Sequence, residues 1–265
     1  MKTRAGWIFT LFLVYYNITS CNDFAHADIK KNNIAESSLK LSNANVCIDS
    51  SKLILPIHTT LFFSKTEQEV INAGLVDIKT IDSSIVVDMK YSTTDNFMGI
   101  DVYGDFNKCY LQPDVAEKLR NAQLFLKSKF PYYNLIIYDG ARPRSVQRKM
   151  WDTINVPYYE KSKYVSNPSG GSLHNFGAAV DLSIADENGF VLDMATTYDF
   201  FGELAYPREE DRMLMEGKLT QKQWLNRELL RSVMNHSGFF GITTEWWHFN
   251  SCGLNTAYLK YAIIE

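Results

Sequence analysis

Residues 172–181 read Ser-Leu-His-Asn-Phe-Gly-Ala-Ala-Val-Asp. A polar turn runs into a glycine, and the glycine into a short apolar run, so Ala178 to Ile184 reads as a strand. Gly177 tolerates backbone angles that a Cβ disfavours, so the chain can turn there and bring His174 and Asp181 toward one point. Upstream, Asn134 to Tyr138 (Asn-Leu-Ile-Ile-Tyr) is a buried-type strand ended by Asp139-Gly140. Farther upstream, Ile78 to Ile81 and Ile85 to Met89 are short β-branched runs that read as strands, and downstream Glu245 to Asn250 reads as a final strand. Helices lie between. Pro113 opens one in which Val115, Leu119, Ala122 and Leu126 recur at helical spacing. Arg144 to Ile154 and Thr220 to Asn235 are two more, the latter turning Trp224, Leu229 or Leu230, and Val233 inward. Ser64 and Glu67 have the spacing of a capping box before a short helix. Helices and short strands mix without strict βαβ alternation, so the predicted class is α+β in one domain.

Composition sets the limits of function. The chain has 265 residues, 46% hydrophobic and 22% charged, which excludes wholesale disorder and collagen-like sequence. A chain of this size buries roughly 70–75% of its unfolded surface and needs no staples to hold a core. The net charge is −3, so no basic excess exists to neutralise phosphates, and no nucleic-acid partner is expected.

The first twenty residues stand apart. Lys2 and Arg4 precede the apolar run Trp7 to Tyr16, which is too short to span a bilayer and has the layout of an export signal. Polar residues follow directly, which argues against an N-terminal core helix. The run ends in Ile18-Thr19-Ser20-Cys21, which resembles a bacterial lipoprotein signal with Cys21 as the lipidated first residue. An ordinary signal peptide with a chance cysteine is the alternative. The expected organisation is a signal over residues 1–20, a lipidated Cys21 and flexible tether over 21–60, and a catalytic domain over 61–265. The expected location is a membrane-anchored lipoprotein of the periplasm or outer membrane, touching the membrane through that lipid only. Cys47, Cys109 and Cys252 remain; an exported protein can pair two of them, and spacing does not choose which. None lies in a Cys-x-x-Cys, so a thiolate zinc site is not expected.

Chemistry concentrates in two places. Of five histidines, His26 and His58 fall in or near the tether, and His236 sits at a helix end beside Ser237-Gly238. His174 and His248 differ, because Asp181 follows the first and Glu245 precedes the second in Glu-Trp-Trp-His. A lone histidine is ordinary hydrogen-bonded structure. Two imidazoles with two or three carboxylates near strand ends match a catalytic zinc hydrolase, in which two His and one carboxylate leave a position open. A further carboxylate can then move the proton of the attacking water. Positions 245 and 248 face opposite sides of a regular strand, so they converge only if the chain is bent or bulged there.

These motifs, Ser-Leu-His-Asn-Phe-Gly-Ala-Ala-Val-Asp, Glu-Trp-Trp-His and the earlier Gly140-Ala-Arg-Pro143, resemble those of the zinc D-alanyl-D-alanine dipeptidases. That is the VanX-like branch of the D-Ala-D-Ala metallopeptidases. Further similarity lies at residues 91–99, 102–104 and 109–111, so the resemblance runs from about Val76 to Asn250. It implies a central, mainly antiparallel sheet flanked by helices, of the Hedgehog/DD-peptidase type, with the zinc site at the sheet. It implies one Zn²⁺ per chain on His174, Asp181 and His248, with Glu245 as general base and acid. Arg142 would stabilise the oxyanion; the alternative is that it only pairs with Asp139 in a turn. Asp193-Met-Ala-Thr-Thr-Tyr-Asp199 is similar to a family segment whose last Asp binds the free amine of the substrate, with Ala195 in place of Gly and Tyr198 in place of Phe. Ser172 is a second candidate contact to the dipeptide, or a hydroxyl that only orders its loop.

The resemblance implies hydrolysis of D-Ala-D-Ala or a similar dipeptide, linked to cell-wall peptide turnover. Two alternatives stand beside it: a D,D- or L,D-carboxypeptidase trimming peptidoglycan stem peptides, and a non-catalytic lipoprotein that binds cell wall. The Asp199 segment favours the dipeptidase, and an intact Glu245 argues against the binder.

Overall fold

The computed structural model describes residues 63–265. The expected export signal, Cys21, the tether, His26, His58 and Cys47 lie outside the described residues. Helix α1 (Lys65–Asn72) begins where the Ser64 hydroxyl accepts the Glu67 amide at 3.2 Å. Glu67 does not complete the capping box, because its carboxylate instead accepts Lys108 Nζ and the Tyr110 hydroxyl, each at 2.6 Å. After β1 (Val76–Asp77), residues Ile78–Ile81 form one helical turn, α2, where a strand was expected. Asp77 decides this: its carboxylate accepts the Lys79 amide at 3.0 Å and caps the turn. Four residues are too few for a period to show. Of the expected strand over 85–89, only β2 (Val86–Val87) pairs.

Strand β3 (Tyr110–Leu111) pairs antiparallel with β1. Pro113 then opens α3 (Pro113–Lys129), and Val115, Leu119, Ala122 and Leu126 are all fully buried, as their spacing predicts. Next come β4 (Asn134–Asp139), α4 (Arg144–Thr153), β5 (Ala179–Ala185), α5 (Glu210–Met215) and α6 (Gln221–His236). Thr220 and Gln223 close a reciprocal capping box on α6, which buries Arg227, Leu230, Val233 and Met234. The chain ends with β6 (Phe240–Gly241), β7 (His248–Asn250) and α7 (Leu254–Lys260).

The main sheet has the order β2-β4-β5-β7-β6. Only β2 and β4 run parallel; the other pairs are antiparallel. This is the expected α+β architecture with a mainly antiparallel sheet. Every residue of β5 is buried, so the central strand is covered on both faces. The expected strand over 245–250 is shorter than predicted, because only His248–Asn250 pairs and Glu245–Trp247 bend away from it. Cys109 is buried, Cys252 is partly buried, and both are free thiols. His236 stacks on the Phe125 ring at 3.7 Å between centroids.

Candidate metal centre

Sheet register brings the first charged side chains together. Asp181 of β5 stands opposite His248 of β7 on one side and opposite Asp139 of β4 on the other. Directly opposed residues point to the same face with their Cβ atoms about 5 Å apart. A register shift in β4 between Ile137 and Asp139 puts Asp139 at that level.

His174 arrives from outside the sheet, on a 3₁₀ turn over Leu173–Phe176. Ser172 caps the turn: its hydroxyl accepts the His174 amide at 3.4 Å, and its own amide donates to Asn175 Oδ1 at 2.7 Å. Gly177 ends it with φ +63°, where the chain reverses into β5. A Cβ there would meet Leu75 Cδ2 at 2.6 Å, so glycine is required for space as well as for angle. The turn is strapped to the segment after β4, because Arg142 N donates to the His174 carbonyl at 2.9 Å and Asn175 Nδ2 donates to the Arg142 carbonyl at 2.8 Å.

Three donor atoms converge. His174 Nε2 lies 3.3 Å from Asp181 Oδ1, His248 Nδ1 lies 2.9 Å from the same oxygen, and the two nitrogens are 3.2 Å apart. Ligands at about 2.0–2.1 Å in a tetrahedron around zinc sit about 3.3 Å from one another, so the donor set fits that ion. The far ring atoms fit too. His174 Nδ1 lies 2.8 Å from the Gly140 carbonyl, and His248 Nε2 lies 2.8 Å from Asn250 Oδ1. Each partner takes a ring N–H and leaves the opposite nitrogen's lone pair aimed at the common point. Among the described residues, this is the one group of three or more His, Cys, Asp and Glu side chains close enough to hold a metal ion.

Charge is concentrated here. Burial alone would raise Asp181, but the facing His174 and His248 hold it well below the ordinary carboxylate range. Burial opposes protonation of His248, yet Asp181 pushes it up to about 9. Glu245 Oε2 is 4.0 Å from His248 Nδ1, brought there by the bend that the strand lacks in sequence. Burial, with Asp181 nearby, pushes Glu245 above its ordinary value despite the two histidines.

Arg142 combines both expectations for it. Its guanidinium pairs with Asp139 through Nε at 2.8 Å and through Nη2, and it still lines the cavity beside the donor triad. Asp139 also accepts the Tyr103 hydroxyl at 2.6 Å, so the guanidinium is held from behind. The Tyr91 ring lies under it, 5.1 Å from the guanidinium carbon to the ring centroid.

Asp199 faces the same cavity, and its Oδ2 accepts the Tyr91 hydroxyl at 2.9 Å. Burial and the Asp181 charge push Asp199 well above the ordinary carboxylate range, against that hydrogen bond. Its segment contains two left-handed residues, Ala195 at φ +70° and Asp199 at φ +58°. The backbone at 195 thus keeps a conformation suited to glycine although the residue is alanine. Ser172, His174, Asp181, Arg142, Asp199, Glu245 and His248 all wall one cavity of about 290 Å³, at the small end for a ligand site.

Four contributors escaped sequence reading: Tyr91, Tyr198, Asn250 and Arg227. Tyr91 lies 108 positions from its partner Asp199, and no spacing signals such a pair. A signal for Asn250 did exist, since it lies two residues after His248 on a strand and so shares its face.

Residues 71–263 match the peptidase M15 family, described as D-ala-D-ala dipeptidase. A D-alanyl-D-alanine dipeptidase of Escherichia coli (strain K12) is 31% identical over 175 residues, covering 66% of this chain and 83% of that protein. The D-alanyl-D-alanine dipeptidase of Enterococcus faecium is 27% identical over 191 residues, 66% of this chain and 90% of its own. That of Enterococcus faecalis (strain ATCC 700802 / V583) is 29% identical over 177 residues, 61% and 83%. With a match over most of its length, and with the fold and donor set in place, the chain belongs to the peptidase M15, D-ala-D-ala dipeptidase, family.

Proposed function

We propose that the protein is a zinc-dependent dipeptidase that hydrolyses D-Ala-D-Ala or a closely similar dipeptide. One observation carries the reading: a single small cavity is walled at once by a zinc-type donor triad, a carboxylate base, a guanidinium and a separate carboxylate, Asp199. His174, Asp181 and His248 would hold the ion. When bound, Zn²⁺ polarises a carbonyl and lowers the pKa of a water to about 7. Glu245 accepts the proton of the attacking water and delivers it to the leaving amine, and its raised pKa suits both transfers. Arg142, oriented by Asp139, presents its cation to the oxyanion that develops. Asp199 accepts the ammonium of the dipeptide in a charge-assisted hydrogen bond. That incoming cation favours the ionised form of Asp199 and so offsets the burial that raises it. Ser172 faces the same cavity as a second polar contact, in addition to capping its turn.

The deciding experiment compares kcat/KM for D-Ala-D-Ala, N-acetyl-D-Ala-D-Ala and a tripeptide ending in D-Ala-D-Ala. A blocked amine would leave a buried carboxylate unpaired, at about 1–3 kcal/mol or more, so the free dipeptide is favoured strongly. Asp199→Ala narrows the gap by slowing the free dipeptide. Equal or better turnover of the blocked substrates would promote the carboxypeptidase reading. Binding without turnover in zinc-loaded protein would promote the non-catalytic one.

The location is also a proposal, supported by the sequence of residues 1–21: an exported lipoprotein held by lipid on Cys21, digesting wall-derived dipeptides outside the cytoplasm. Among the described residues no helix is long and apolar enough to cross a membrane. Cys21→Ser should leave the protein soluble or unprocessed, and membrane retention after signal removal would end the lipoprotein reading.

A further inference from the structure

We propose that Tyr198 is a positioning residue of the metal centre, whose hydroxyl holds the outer oxygen of Asp181 so that the carboxylate offers the ion a single oxygen. The inference rests on the zinc reading above and extends it to a residue that does not touch the ion. The two oxygens of Asp181 have different surroundings. Oδ1 faces both histidines, at 2.9 Å from His248 Nδ1 and 3.3 Å from His174 Nε2. Oδ2 points away and accepts the Tyr198 hydroxyl at 3.0 Å. Among the described residues, the one cation near Oδ2 is Arg142, whose Nη2 stands 3.6 Å off, beyond hydrogen-bond reach, and is already committed to Asp139. Without the tyrosine hydroxyl, a buried carboxylate oxygen loses its hydrogen-bond donor. The carboxylate is then free to rotate toward Arg142 or to turn both oxygens toward the histidines.

The ring of Tyr198 is seated independently of its hydroxyl. It packs edge-on against Tyr91 at 5.9 Å and Trp247 at 5.5 Å, and tilted against Tyr138 at 5.1 Å. Removing only the oxygen leaves these contacts in place. In the chain, Tyr198 lies between the left-handed residues Ala195 and Asp199. The same short segment thus supplies the donor that orients Asp181 and, one residue on, the carboxylate that faces the substrate amine. Tyr91 makes the matching contact to Asp199, at 2.9 Å. Two tyrosine hydroxyls therefore address two carboxylates, one on the metal side and one on the substrate side.

Tyr198→Phe, Tyr91→Phe and the unsubstituted protein, each stripped of metal, are titrated with Zn²⁺ against a chromophoric chelator. Hydrogen-bond partners of metal ligands typically govern about 10–100-fold in affinity, and Tyr198→Phe should weaken zinc binding by that factor. The melting temperature of its metal-free form should stay that of the unsubstituted protein, because the ring packing remains. Tyr91→Phe should bind zinc unchanged while its KM for the free dipeptide rises. Equal zinc affinity in Tyr198→Phe and the unsubstituted chain overturns the assignment. So does an equal loss in both variants, which would mean a general loosening of the aromatic cluster. An unsubstituted chain that takes up no zinc refutes the zinc reading itself, and this inference with it.

Discussion

Replacing Arg227 with methionine tests how the substrate-facing segment is held. Arg227 projects from α6 and is 2% exposed. It donates to the Met194 carbonyl through Nε at 2.9 Å and Nη2 at 2.6 Å, to the Leu204 carbonyl at 2.8 Å, and to Glu210 Oε1 at 3.2 Å. One guanidinium therefore clamps both ends of the segment that carries Tyr198 and Asp199. Methionine fills similar space and donates nothing. Glu210 keeps Arg231 as a partner, but two carbonyls and one carboxylate oxygen lose a donor. Breaking a buried ion pair from one side costs about 3–5 kcal/mol, and the orphaned carbonyls put the expected loss within that range. At about 2–4 °C per kcal/mol for a domain of this size, the melting temperature falls by about 6–20 °C. Denaturant unfolding should show a lower midpoint at unchanged slope. In the folded fraction, KM for the free dipeptide should rise far more than kcat falls; zinc affinity should fall by no more than in Tyr198→Phe, because His174, Asp181 and His248 lie on other elements while the loosened segment carries only Tyr198 toward the metal centre. A melting temperature and KM both equal to those of the unsubstituted protein would refute the clamp.

Further tests follow from individual contacts. Glu245→Gln keeps its shape but cannot accept a proton, so kcat should fall about 10²–10⁴-fold with zinc retained; loss of the metal would show Glu245 to be a ligand instead. In metal-free protein, His248 holds its proton up to about pH 9, so zinc must displace it. Apparent zinc affinity should therefore rise about tenfold per pH unit until that region, and a plateau already reached at neutral pH would contradict the Asp181–His248 pairing. Burial would raise Glu67, but its bonds from Lys108 and Tyr110 hold it below its ordinary value. A depressed folded-state pKa stabilises above the unfolded value and is lost as pH falls through the folded one. Glu67→Gln should thus destabilise the fold at neutral pH, with the gap closing in acid; a pH-independent gap would mean packing, not charge. Ala195→Gly relieves a left-handed alanine at about 1–2 kcal/mol and gives back part of that in chain entropy, so unfolding free energy should stay level or rise by up to about 1 kcal/mol. A clear loss would show that the alanine methyl packs usefully.

The legible parts of the fold share one property, that the decisive interactions are local. Helix α3 follows from Pro113 and four apolar positions within fourteen residues, and α6 from a cap and a register that repeats inside one element. The His174 turn was readable through Gly177, since one residue type relieves both its angle and its close approach to Leu75. Misreadings arose where a short pattern was overridden, once by a neighbouring cap and once by a tertiary contact. Ile78–Ile81 has β-branched residues, yet the capping carboxylate of Asp77 coils it into a turn. Glu245–Trp247 has strand-forming aromatics, yet the chain bends there and sends Trp246 Nε1 to the Thr196 hydroxyl at 2.7 Å.

That bend joins the two halves of the site. A regular strand through residue 245 would place Glu245 and His248 on opposite faces, and the base would be lost to the far side of the sheet. The bend costs ladder pairing at 245–247, and the strand resumes at His248, where His248, Phe249 and Asn250 pair with β5 and the last two also with β6. What sequence cannot display is register: nothing local says that Asp139, Asp181 and His248 share one level across β4, β5 and β7. A slip of one residue in β5 would turn Asp181 to the other face and leave the two histidines facing Val180 or Leu182 instead of a carboxylate. The hydrophobic alternation that prevents the slip belongs to the core, so the stability of the sheet and the geometry of the donor triad are a single constraint. Substitutions that disturb β5 packing should therefore be read first in zinc affinity, before they are read in folding.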